Sequence, residues 1–103
     1  MSYVASFFAG VFLCNSVPHL VCGLIGEPFP TPFAKPHGVG NSPSLVNFLW
    51  GLANAVIGAA LLAWFPLSLA FSISSLVFLA GVLATGAYLS VHFGKVRAQS
   101  NSQ

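Results

Sequence analysis

Three long apolar runs follow one another along the chain, separated by positions that break a helix. The first extends from about Tyr3 to Gly26, the second from Pro43 to about Phe65, and the third from about Leu67 to Phe93. At 1.5 Å of rise per residue each is long enough to cross a hydrocarbon core about 30 Å thick. The pattern predicts an all-α integral membrane protein, one domain over 1–103 with spans at about 3–26, 43–65 and 67–93.

The breaks set the connectivity. Ser42-Pro43 reads as a helix start, serine as the cap and proline at the first helical position, where a missing N–H costs nothing. Phe65-Pro66 ends the second helix and is expected to start the third, which predicts a tight antiparallel hairpin of spans two and three. After Phe93, Gly94 and the polar tail 94–103 are expected to fray. Spans one and two are joined by the longer connection Glu27 to Ser42, with Pro28, Pro30, Pro32 and Pro36 in it. Each proline fixes its φ, so this segment is predicted to be ordered, extended and polyproline-like. Phe29 and Phe33 would dip into the interface, and Gly38 and Gly40 would let the chain turn back into the second helix.

Polar residues recur on one face of each span. Asn15, His19, Cys22 and Gly26 form such a stripe on the first, and Asn47, Gly51, Asn54 and Gly58 on the second. Ser74, Gly81, Thr85, Tyr88 and His92 do so more loosely on the third. Their depths place the polar groups toward the end of the bundle that carries the connection. Small residues let helix backbones approach, and asparagines bond across the contact. Gly51, Ala55, Ala59 and Ala63 offer a small-every-fourth ridge, with Gly58, Gly81 and Thr85 as further packing positions. Pro18 removes the donor that would serve the carbonyl of Cys14 and is expected to kink the first helix. A freed carbonyl beside Asn15, Ser16 and His19 could line a small polar site, with Asn47 and Asn54 facing it.

His19 carries the most chemistry. An intramembrane histidine can bind metal, ligate haem, relay a proton or bond a quinone. A zinc site would need Cys22 and a connection folded inward to bring His37 and Glu27, and His92 lies too near the surface to face His19 across a haem. The expected state is therefore a histidine hydrogen-bonded to Asn54 or to a backbone carbonyl, with no cofactor. Cys14 and Cys22 stand about 12 Å apart along a helix, too far for a disulfide.

Composition agrees with burial in lipid: 56% of residues are hydrophobic and 4% charged, whereas a water-facing exterior needs roughly a quarter charged. A net charge of +2 gives no footprint for nucleic acid. The charges orient the chain instead. Lys35, Lys95 and Arg97 are its basic residues, and all fall on the side of the connection and the C-terminus. The positive-inside rule makes that side cytoplasmic and leaves the N-terminus and the Trp64-Phe65-Pro66 turn outside, with Tyr3, Trp64 and Phe65 at the outer interface and Tyr88 and Phe93 at the inner one. The first dozen residues hold no Lys or Arg, so the first run is read as a retained span.

No catalytic signature is present. The chain has no Asp, and Glu27, expected as an interfacial anchor or a partner for Lys35, is its sole acid. There is no glycine-rich phosphate loop and no CxxC. Pro18-His19, Gly26, Pro28-Phe29, Thr31-Pro32-Phe33-Ala34, Pro36, Gly38, Gly40, Ser42-Pro43, Asn47 and Leu49-Trp50-Gly51 together resemble a family of short bacterial three-helix membrane proteins. The resemblance implies a bacterial inner-membrane location and carries no activity.

The expected function is a small non-catalytic subunit that packs in or stabilises a larger membrane assembly or a homo-oligomer, with the bilayer and other membrane subunits as partners. Glu27, Phe29, Phe33, Lys35 and His37 would form its docking edge. The alternatives are a small transporter or channel along the polar stripe, and a redox or cofactor-binding protein centred on His19.

Overall fold

The computed structural model describes residues 2–68 and 70–101. Positions 69, 102 and 103, within the expected third span and tail, lie outside the described residues. Three helices carry the fold: α1 (Tyr3–Leu24), α2 (Ser44–Trp64) and α3 (Ile73–Asn101). Two-residue strands, β1 (Phe29–Pro30) and β2 (Asn41–Ser42), lie between α1 and α2. All three helices are long and apolar enough to cross a membrane, over Tyr3–Leu24, Ser44–Trp64 and Ile73–Gln99. This is the make-up of a multi-pass membrane protein.

Local chemistry sets each helix end. The Ser2 hydroxyl accepts from the Ala5 N–H at 3.1 Å and caps α1. At the other end Gly26 takes φ +77°, its N–H reaches the Gly23 carbonyl, and the Glu27 N–H reaches the Cys22 carbonyl at 2.8 Å. This is a Schellman cap, in which glycine supplies the left-handed residue. Gly26 therefore belongs to the helix stop rather than to a polar face, and a Cβ there would meet nothing within 4 Å. It is conformation, not space, that calls for glycine at this position. At the start of α2 the cap falls on Pro43, one residue later than expected, and the Ser42 hydroxyl turns away to bond Thr31 Oγ1.

The third helix departs most from expectation. It begins at Ile73, not at 67, because Ser72 and Ser75 form a reciprocal cap. The Ser75 N–H donates to Ser72 Oγ at 3.2 Å, and the Ser72 N–H to Ser75 Oγ at 3.0 Å. It then continues through Gly94 to Asn101 rather than giving way to an unwound tail.

The tight hairpin of the last two helices does not form. α1 is the central helix and packs against both α2 and α3, which scarcely touch each other. Small residues decide both contacts. On the α1–α3 side a Cβ at Gly10 would collide with the Phe78 carbonyl, and one at Gly81 with the Phe7 carbonyl, so the two backbones are in contact. On the α1–α2 side the buried residues of α2 are Asn47, Gly51, Asn54 and Gly58. Gly51 lies against Leu20, and Gly58 against Leu13. Of the expected small-residue ridge, Gly51 lies on this face, whereas Ala55 is half-buried and Ala59 and Ala63 are exposed. Alanine is small, but only glycine removes the Cβ that these contacts exclude.

The connection is not a polyproline path. β1 and β2 pair antiparallel, Phe29 opposite Ser42 and Pro30 opposite Asn41. The residues between form a closed loop, with the Gly40 N–H on the Pro36 carbonyl at 2.8 Å and the Gly38 N–H on the Thr31 carbonyl at 3.3 Å. Pairing across the loop demanded a return stroke that proline content alone does not signal.

Gly81 and Gly94 separate packing from helix propensity. Gly81→Ala should destabilise the bundle by about 1–3 kcal/mol through the α1–α3 clash. Gly94→Ala, with nothing within 4 Å of the new methyl, should stabilise it by up to about 1 kcal/mol. Unfolding in detergent followed by circular dichroism reads both. Equal effects of the same sign would contradict the assigned contact.

Candidate functional site

The polar groups of α1 and α2 meet in two tiers. The deeper lies near the midpoint of both helices. Asn15 Nδ2 donates to Asn54 Oδ1 at 3.0 Å, and Asn54 Nδ2 donates to the Trp50 carbonyl at 2.8 Å within its own helix. The Asn54 carboxamide is thereby held in one orientation, its oxygen turned toward α1.

The second tier lies nearer the connection, by one helical turn on α1 and two on α2. His19 is 3% exposed and Asn47 fully buried. His19 Nδ1 and Asn47 Oδ1 are 2.8 Å apart. Asn47 Nδ2 faces the carbonyls of Phe29 at 2.9 Å, Ser42 at 3.1 Å and Pro43 at 3.3 Å. Carbonyls only accept, so the amide nitrogen must point at them and the amide oxygen at the histidine. His19 Nδ1 is then the donor, and in the neutral ring Nε2 keeps its lone pair. No hydrogen bond engages Nε2 among the described residues. It is not sealed off either, because among the described residues no buried polar side-chain atom is left without a partner.

The histidine was expected to bond Asn54 or a backbone carbonyl. It bonds Asn47 instead, and Asn54 is taken by Asn15. Spacing alone could not choose, because Asn47 and Asn54 lie on the same face of α2 two turns apart. Ser16 folds back onto its own helix, donating to the Leu13 carbonyl at 2.6 Å. Pro18 lies inside α1 without ending it.

Aromatic contacts carry the junction across to α3. The Phe29 ring meets His19 edge-on at 5.5 Å and packs on Phe93 at 4.6 Å. His92 packs on Phe93 at 5.0 Å and stacks on Tyr88 at 5.7 Å. His92 Nε2 donates to the Gly38 carbonyl at 2.7 Å and so ties α3 to the loop. The loop is therefore clipped twice, by Asn47 of α2 at its base and by His92 of α3 near its tip.

The remaining loop residues divide. His37 donates from Nδ1 to the Pro32 carbonyl and stiffens the loop from outside. Phe33 stays 62% exposed and touches Trp50 edge-on at 5.1 Å. Lys35 is exposed, and Glu27 makes no ion pair with it among the described residues. His37 and Glu27 are not gathered around His19: among the described residues no three of His, Cys, Asp and Glu come together as a metal site would require. Cys14 and Cys22 are both free and half-buried.

α2 and α3 diverge over α1 and leave a groove of about 430 Å³. Asn15, Trp50, Asn54, Thr85 and Tyr88 are among the residues that line it, and the lining is largely apolar. Asn15 Oδ1, Trp50 Nε1 and Thr85 Oγ1 make no hydrogen bond among the described residues. Thr85 was expected on a packing face; it lines this groove. Sequence reasoning missed the groove because the hairpin it expected would have filled it.

The two clips differ in what their loss exposes. Asn47→Leu removes the donor from the Phe29 and Ser42 carbonyls and the acceptor from His19, and should cost about 2–3 kcal/mol. His92→Phe keeps the ring contacts and loses one bond, about 1 kcal/mol. Limited proteolysis in detergent should cut the 31–40 loop quickly in the first variant and slowly in the second. The opposite order would place the main clip on α3. Comparison with known proteins adds no relative: no family model, no curated protein and no solved structure matches the chain.

Proposed function

We propose that the protein is a small non-catalytic membrane subunit whose α2–α3 groove seats a transmembrane helix of a larger assembly, made of other subunits or of further copies of itself. The observation that carries this reading is the set of polar side chains lining the groove, three of which have a polar atom unbonded among the described residues. Lipid covers exposed leucines and valines without loss, so the apolar exterior of α3 argues for nothing. It cannot satisfy Asn15 Oδ1, Thr85 Oγ1 or the Trp50 indole N–H within the spans. A helix with small residues and a hydroxyl or carboxamide of its own can do so. In this reading the connection and the α3 end face the cytoplasm of a bacterial cell, since Lys35, Lys95 and Arg97 lie on that side.

A transport path has less support. The stripes of α1 and α2 turn toward each other, and Gly58 packed against Leu13 closes the half remote from the connection. A pore needs polar lining or a gate through its full depth.

Native mass spectrometry from a mild detergent tests the reading. The wild-type chain should emerge with a second subunit or as more than one copy. Ala84→Phe places a ring in the groove from an exposed position, and should release that partner while leaving unfolding unchanged. Monomeric wild-type protein, or a complex indifferent to Ala84→Phe, would sink the proposal.

A further inference from the structure

A second cavity, of about 410 Å³, opens at the connection end of the bundle between the loop and the last turns of α3. Its polar lining comes from Glu27, Asn41, Arg97 and Gln99, and Phe29 and Phe93 pack together beside them. Three features single it out. It lies at headgroup depth: Glu27 follows the end of α1 by three residues, and Arg97 falls near the end of the apolar stretch Ile73–Gln99. It holds the chain's one acid and one of its three basic residues, and no ion pair joins them among the described residues. Its geometry is also fixed, because Glu27 is tied by its backbone to Cys22 in the α1 cap, and Asn41 is held by pairing with Pro30.

We infer that this cavity binds the headgroup of a phosphatidylethanolamine-type phospholipid, with the phosphate on Arg97 and the primary ammonium on Glu27. Guanidinium is the side chain best matched to a phosphate, offering two parallel N–H donors. A carboxylate in the same cavity disfavours a purely anionic headgroup and favours one that carries its own cation. Choline would supply the charge without N–H donors for Glu27; ethanolamine supplies both. The acyl chains leave along the outer surface below, where Leu24 is 72% and Ile25 66% exposed. The site is separate from the α2–α3 groove, and the inference stands whether or not a partner helix occupies that groove.

The test incorporates the full chain into vesicles of ethanolamine, choline and glycerol phospholipids in equal parts, extracts it mildly and counts retained lipid by native mass spectrometry. Wild type should keep the ethanolamine lipid over the choline lipid by about tenfold, the worth of one charge-assisted hydrogen bond. Arg97→Gln should lose retention of every class by a similar factor. Glu27→Gln should keep a lipid but shift toward the anionic glycerol class. Both positions are exposed, so unchanged unfolding confirms intact protein. Equal retention of ethanolamine and choline lipids, or a pattern that neither variant alters, would overturn the proposal. Soluble phosphoethanolamine separates the two sources of this headgroup: weak displacement at millimolar concentration supports a lipid, whereas binding as tight as the lipid's would overturn the membrane assignment.

Discussion

A buried carboxamide inside a membrane must find both a donor and acceptors within protein, since hydrocarbon offers neither. Asn47 meets that demand with four groups from three segments: His19 of α1, the Phe29 carbonyl of β1, and the Ser42 and Pro43 carbonyls that lead into α2. Rotating the amide would set its oxygen against three carbonyls and its nitrogen against the histidine donor. One side chain thus fixes the register of α1 against α2 and the place where the connection leaves the bundle. It also fixes the tautomer of His19.

Packing and polarity reinforce each other around that point. The asparagine pairs require α1 and α2 to approach closely, and Gly51 and Gly58, on the same face of α2, make the approach possible. A Cβ at Gly51 would stand 2.8 Å from the Leu20 backbone nitrogen, close enough to push the helices apart and lengthen the His19–Asn47 bond one turn away. On the opposite side Gly10 and Gly81 bring α1 and α3 into backbone contact, with no side-chain hydrogen bond between the two helices among the described residues. The two interfaces are therefore unlike. The first is specified by hydrogen bonds as well as shape, the second by shape alone, so α3 is held in place by packing at one end and by the loop through His92 at the other.

The spans and the α2 face were legible because they rest on periodicity within one segment. Asn47, Gly51, Asn54 and Gly58 share a face whatever they touch, and they are the residues that α2 buries. What failed depended on competition between segments. Pro66 is a good first helical residue, yet the reciprocal Ser72–Ser75 cap is a better start, because it satisfies two backbone donors that lipid would leave bare. Ala59 and Ala63 matched a packing motif as well as Gly58 did, but the side of α2 that faces inward is chosen by the asparagines. His19 stood out at once as chemically loaded. Its partner did not, since two asparagines of one helix offered equivalent bonds and only the depth of the connection separates them.

The same constraint explains why polar atoms remain on the groove side. Asn15 gives one N–H to Asn54, and that single bond holds its carboxamide at the border between α2 and the open face. α2 and α3 do not close on each other, as their nearness in sequence suggested they would. Instead the eight-residue stretch from Phe65 to Ser72 lets α3 cross α1 elsewhere, guided by Gly81 over Phe7. A glycine crossing thus takes the place of the hairpin contact, and Asn15 Oδ1, Trp50 Nε1 and Thr85 Oγ1 stay unbonded among the described residues. Within a single chain that course leaves hydrogen bonds unmade; the helix proposed for the groove would make them. In the proposed larger assembly, the open face that this course of α3 leaves is the seat of the added helix.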